Sequence, residues 1–226
     1  MKRRGAILKI ICMMVVVFAF FSGCKTTNDK IMNEGVIEFD VAAVDPNHPW
    51  AGMIPSTATL KFKDDKFLME MSTMGMFTTT FICDQTGKTL TQMVKFLDIK
   101  QACIEKEEDI KKENLGYKVN WKETKETKKI AGYTCKKLNV TMADDPSVNF
   151  EAYYTKDMGA ENMNDLSPYN GIKGMLLQYR LKRMGLELQF TAKSVKKAEI
   201  TESIFEIPAY FKIVSKAEIE KIFQQF

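Results

Sequence analysis

Cys24 carries the clearest chemistry in this sequence. It follows Phe21-Ser22-Gly23, so two small residues precede a thiol at the end of an uncharged apolar run from Ile10 to Phe21. Lys2, Arg3 and Arg4 lead into that run. The three zones are those of an export signal. Cleavage is expected just before Cys24, whose thiol then takes diacylglycerol and whose freed amine is acylated. The run is short of the roughly 20 residues a lone spanning helix needs, so a removed signal is expected and not a permanent helix. Phe21 stands where such signals usually carry Leu. Several acyl chains on one cysteine anchor stably, because each buried CH2 contributes about 0.8 kcal/mol and one chain alone is marginal. Residue 25 is Lys, not the Asp that retains many lipoproteins in the inner membrane, and no acidic run follows. The expected location is the outer membrane, with the domain facing the periplasm.

The remaining reactive residue types are sparse. His48 is the only histidine and sits between Asn47 and Pro49, which excludes His-cluster metal sites and reads as a surface loop position. There is no Gly-rich phosphate loop and no CxxC pair, so no enzyme and no cofactor is expected. Methionine is unusual: Met69, Met71, Met74 and Met76 fall within eight residues. Thioethers suit Cu(I), but the same spacing is ordinary strand alternation. It equally suits flexible side chains lining an adaptable apolar surface. Beyond the signal only Arg180 and Arg183 remain as arginines. On a strand they face opposite ways, so only one can enter a cavity; Arg180 is the candidate for a lipid phosphate or carboxylate. Cys83, Cys103 and Cys135 are the other mature cysteines. Their odd number leaves at least one thiol unpaired, and Cys83 with Cys103 is the first disulfide pair to test, against small buried residues.

Removing the signal takes Lys2, Arg3, Arg4 and Lys9 from 33 basic residues and leaves 29, against 29 acidic ones. The basic balance belongs to the signal, and the electrostatic case for nucleic acid disappears with it. About 200 mature residues suffice for one core, so the expected plan is signal 1–23, lipidated tether 24–34 and one domain over 35–226.

These residues sit on strands. Val36–Val41 alternates with Ile37, Phe39 and Val41 on one face, and Ala58–Lys63 places Leu60 and Phe62 together. Lys66–Met71 puts Phe67, Met69 and Met71 on a shared face after an Asp64-Asp65 turn. Met76–Cys83 and Lys88–Phe96 pair across Asp84–Gly87. The mixed-charge run Glu105–Asn114 reads as a solvated loop, a short helix or a docking patch. Further strands are expected over Lys118–Thr124, Tyr133–Met142, Phe150–Thr155, Met175–Lys182 and Leu186–Ser194, with a loop over Gly159–Gly174. Ser215 caps a final helix bearing Ile219, Ile222 and Phe223. The fold class is mainly β (α+β): about ten strands in a curved antiparallel sheet or incomplete barrel, with a few short helices.

The text Lys129-Ile130-Ala131-Gly132-Tyr133-Thr134-Cys135-Lys136-Lys137, then Tyr153-Tyr154-Thr155-Lys156-Asp157, resembles an uncharacterised family of bacterial secreted and lipoprotein domains. That family is domain of unknown function 4412, with its GLPGLI-type relatives. Thr78–Asp84 and Phe205-Glu206-Ile207-Pro208 extend the resemblance over about residues 35–212, while Ala209 stands where the family tends to place Gly. Such domains look like the half-barrel of outer-membrane lipoprotein carriers (LolA- and LppX-like), which wraps a helix and offers an apolar concave face to acyl chains. The resemblance therefore implies an acyl chain or other lipid as ligand. Phe39, Leu60, Phe62, Phe67, Met69, Met71 and Arg180 are the candidate contact residues. A structural or interaction module of an envelope complex, and a Met-based Cu(I) site, are the alternatives.

Overall fold

Two tight turns set the register of the first half of the sheet. Asp64 takes a left-handed φ of 49°, a conformation its short polar side chain tolerates. The turn folds strand β2 (Thr57–Lys63) onto β3 (Lys66–Thr73), placing Phe62 opposite Phe67 and Leu60 opposite Met69. The second turn, after β4 (Phe77–Asp84), closes when the Gly87 N–H donates to Asp84 Oδ1 at 2.7 Å, and β5 (Thr89–Phe96) returns.

The computed structural model describes residues 32–73, 77–183 and 185–223. The signal, Cys24 and the tether up to residue 31 lie outside the described residues, as do Met74, Met76 and Met184. Twelve strands form one open, curved sheet accompanied by two short helices. The others are β1 (Glu34–Ala43), β6 (Ile99–Lys106), β7 (Val119–Ile130), β8 (Tyr133–Met142), β9 (Asn149–Thr155), β10 (Met175–Arg183), β11 (Leu186–Lys197) and β12 (Lys212–Ile213). The spatial order is β12-β6-β5-β4-β3-β2-β1-β11-β10-β9-β8-β7. Among the described residues every strand pairing is antiparallel except the two-residue contact of β12 with β6, and an isolated parallel bridge joins Met32 to Met158. The sheet is thus two meanders, β1–β6 and β7–β11, sewn together by β1 against β11.

Strand alternation gives the sheet an inner and an outer face. Ile37, Phe39, Leu60, Phe62 and Met69 point inward and are buried. On the outer face Leu68, Ile82, Met93 and Ala102 are covered by Phe205, Ile207 and Phe211 of the segment that follows β11. Helix α1 (Glu107–Asn114) seats Ile110 on Cys83, Leu90 and Leu166. Helix α2 (Lys216–Phe223) seats Ile219 and Ile222 on Val94 and Cys103. Ser215 caps it: the Glu218 N–H donates to Ser215 Oγ at 3.3 Å, and Glu218 Oε2 accepts from the Ser215 N–H at 3.0 Å.

Three expectations change in detail. The strand over Ile99–Lys106 carries apolar and polar residues on both faces, so alternation does not announce it. Strand β7 runs six residues past Thr124, because Lys125–Lys129 lies on a free sheet edge where charges are tolerated and block edge pairing. The Cys83–Cys103 disulfide does not form. Cys83 opposes Leu90 and Cys103 opposes Gln92, so β5 separates them by two strand spacings, about 10 Å, beyond disulfide reach.

Candidate functional site

The inner face of the sheet holds a partly enclosed cavity of about 450 Å³. This lies within the range of roughly 300–1,000 Å³ typical of small-molecule sites. One wall comes from the first meander: Leu60, Phe67, Met69, Met71, Phe81 and Leu90. The facing wall comes from the second: Leu176, Tyr179, Leu181, Leu186, Leu188 and Phe190. Phe223, from the last turn of α2, closes on the same space. No Lys, Arg, His, Asp or Glu is among the described residues that line it. A surface of this kind binds hydrocarbon and excludes charge.

Beneath the second wall is an aromatic cluster. Tyr179 stacks on Phe190 with centroids 5.1 Å apart and planes 12° apart. Phe39 meets Tyr179 and Phe190 edge-on at 6.0 and 6.1 Å, and Tyr169 meets Tyr179 edge-on at 6.2 Å. Such pairs contribute about 0.5–1.5 kcal/mol each beyond area burial, so this wall is firm. Burial pushes the Tyr179 phenol well above its ordinary value.

Two loops roof the cavity, and buried amides fasten one of them. In the segment 156–174, Asn164 Nδ2 donates to the carbonyls of Ile172 (2.9 Å) and Gly174 (2.7 Å). Gln85, at the β4–β5 turn, donates from Nε2 to the Met163 carbonyl at 2.8 Å. Its Oε1 accepts the Leu166 N–H at 3.0 Å. Gly174 has φ +136°, and a Cβ there would lie 2.3 Å from the Thr155 carbonyl oxygen, so only glycine lets the loop rejoin β10. In the other roof, residues 44–56, Thr73 Oγ1 donates to the Met53 carbonyl at 2.9 Å. His48 belongs to this loop: its Nδ1 accepts the Trp50 N–H at 3.3 Å and its ring meets Trp50 edge-on, with Trp50 at the cavity.

Of the residues picked out by alternation, Leu60, Phe67, Met69 and Met71 are on the cavity wall. Phe39 and Phe62 point inward and are buried, but they do not line the cavity. Arg180 is not on the wall. Its neighbour Tyr179 takes the inward position, and the Arg180 guanidinium lies 4.8 Å from the Phe150 ring centroid, with Nε donating to Gln189 Oε1 at 3.3 Å. Cys24 lies outside the described residues. Sequence reasoning missed the entire second wall, although Leu186, Leu188 and Phe190 alternate as clearly as Phe67, Met69 and Met71. It also missed the roof, whose Asn164 and Tyr169 carry no periodic signal.

A charged cluster stands beside the cavity at α2. Lys216 donates to Glu105 Oε2 (2.9 Å) and to Glu113 Oε2 (2.5 Å), tying α2 to β6 and α1. Burial raises the Glu105 carboxyl above its ordinary value despite Lys216. Burial alone would lower Lys216, but its bonds to Glu113 and Glu105 outweigh that and hold it raised. Among the described residues no group of three or more His, Cys, Asp or Glu is arranged to hold a metal ion. No protein-family model matches the chain, and no curated protein matches it.

Proposed function

We propose that this chain is a non-enzymatic, lipid-anchored envelope protein that holds the acyl chain of a lipid, or a similar apolar ligand, in the cavity between its two meanders. The observation that carries the reading is the uncharged apolar lining of a 450 Å³ space walled by both halves of the sheet. Each methylene moved from water into such a space contributes about 0.8 kcal/mol, so a chain of modest length binds without any charged contact. The resemblance to carrier-like half-barrels supports the same reading. On it, Cys24 is the lipid attachment site and the domain works on the periplasmic side of the outer membrane. Phe67, Met69 and Met71 are hydrocarbon contacts whose flexible thioethers adapt to different chains.

The experiment is native mass spectrometry of the mature protein, carrying Cys24→Ala, exported behind a non-lipoprotein signal and gently purified from the periplasm. A co-purified lipid mass that disappears in Met71→Trp, a half-buried wall position where indole fills the cavity, is the expected result. Recovery of the bare protein, together with no binding of a fluorescent fatty ester, overturns it. In that case an interaction role in an envelope complex becomes the better reading, with one dominant protein adduct on crosslinking in cells. Met69→Leu with Met71→Leu separates lipid from Cu(I): lipid binding survives that change, whereas thioether ligation is lost.

A further inference from the structure

The Tyr179 hydroxyl is a polar group of the cavity wall that the described residues leave without a partner. Tyr179 is 9% exposed and lines the cavity. Its hydroxyl has no hydrogen-bond partner among the described residues, yet it is not one of the polar atoms sealed from accessible space. It therefore borders the cavity. Four other polar side chains on the wall are committed elsewhere: Asn164 to Ile172 and Gly174, Ser167 Oγ to the Asn164 carbonyl at 2.9 Å, Thr73 to Met53, and Tyr169 to Arg180. A buried tyrosine hydroxyl ordinarily has a partner, because an unpaired polar group in an apolar site is costly. The aromatic cluster of Phe39, Tyr169 and Phe190 fixes the ring, so the hydroxyl cannot swing out to solvent.

We propose that the Tyr179 hydroxyl donates to a neutral carbonyl of the ligand, so that the cavity selects an esterified or amidated acyl chain over a free fatty acid. The inference rests on the apolar-ligand reading above and deepens it. A carboxylate at this place has no cation among the lining residues to offset its desolvation. An ester or amide carbonyl accepts one hydrogen bond and brings no charge. The tyrosine stays protonated, because burial raises its pKa, and is a donor at every physiological pH. Thr79, on β4, is the other hydroxyl on the wall without a hydrogen bond among the described residues and is the control position.

The test uses the mature chain with Cys24→Ala and the neutral dye N-phenyl-1-naphthylamine as reporter, displaced by dodecane, methyl laurate or laurate at pH 8.5. Dye binding and its displacement by dodecane report on the apolar cavity alone; their absence overturns the underlying reading. With dye bound, methyl laurate is expected to displace it at concentrations about tenfold or more below those of laurate. Tyr179→Phe is expected to weaken methyl laurate about three- to tenfold while leaving the dye within about twofold, as for loss of one hydrogen bond. Because the hydroxyl has no protein partner, Tyr179→Phe keeps or raises the melting temperature of the ligand-free protein. Equal displacement by laurate overturns the proposal, as does an unchanged methyl laurate affinity in Tyr179→Phe. A loss confined to Thr79→Val, or a lowered melting temperature in Tyr179→Phe, overturns it as well.

Discussion

The Tyr169 hydroxyl donates to the Arg180 carbonyl at 2.7 Å and accepts the Arg180 N–H at 3.3 Å, so one side chain does for β10 what a neighbouring strand does elsewhere. Strand β9 pairs with β10 only from Met175 to Gln178, and beyond that point the two strands part. Tyr169 fills the parting, 1% exposed, and its ring packs against Tyr179 on the cavity wall. The roof loop and the wall are therefore one unit. Replacing Tyr169 with Phe keeps the ring but orphans both backbone groups of Arg180. The expected loss is about 1–3 kcal/mol in urea unfolding, with a matching rise in hydrogen exchange at the Arg180 amide.

Gly174 gives a sharper test of the roof. Gly174→Ala forces a Cβ against the Thr155 carbonyl at 2.3 Å in a backbone conformation that disfavours L residues. Destabilisation above about 2 kcal/mol is expected. Gly132→Ala is the contrasting case: it has φ +91° but nothing within 4 Å of a Cβ, so it should cost only about 1 kcal/mol. Equal losses at the two positions argue against the close approach at residue 174.

Lys216 joins α2 to Glu105 and Glu113, and its loss leaves Glu105, 4% exposed, without its cation. Lys216→Met is expected to cost about 2 kcal/mol at neutral pH. That is less than the roughly 3–5 kcal/mol for a fully buried pair, because a third of the Lys216 side chain is exposed. The sign with pH follows from burial raising the Glu105 carboxyl above 4.5. The folded state holds that proton more tightly than the unfolded chain, so its contribution is full at low pH and is lost as pH rises through the folded value. The variant should regain stability on acidification, and Lys216→Met combined with Glu105→Gln should recover part of the loss at pH 7.

Burial pushes the Cys135 thiol up to about 11 from 9.0. Because the folded value is the higher one, stability is present below about 9 and falls as pH climbs toward about 11, when the unfolded chain releases the proton first. Denaturant titrations of the native protein and of Cys135→Ala across that window should differ by this component, which the variant lacks. Thiol labelling of Cys135 at pH 8 should be slow in the folded protein and fast in denaturant.

Much of this architecture was legible where burial is one-sided. Asp64-Asp65, Asp84–Gly87 and the Ser215 cap announce themselves because turn and cap chemistry is local. Phe67, Met69 and Met71 share a face because alternation is a property of the strand alone. Most of what escaped was non-local. Strand β6 hides because both its faces are covered in part, the outer by Phe211 near Ala102 and the inner by α2 near Cys103. Arg180 was expected to reach a cavity, although Tyr179 and Leu181 alternate with Gln178, Arg180 and Lys182, a local pattern that puts Tyr179 inward. The roof depends on Gln85 reaching Met163 and Leu166 across some eighty residues, a contact with no sequence signature.

The seam between β1 and β11 has a kinetic consequence. Each meander is built from neighbours in sequence and can form quickly, but Gly35 must find Lys197 across most of the chain. Closing so long a loop is the slow, entropically costly event in forming a sheet of this kind. The two cavity walls belong to different meanders, so the pocket comes into being only in that last step. On the proposed reading, a ligand bridging the walls would act as a clasp on the seam, slowing its reopening far more than it speeds its formation.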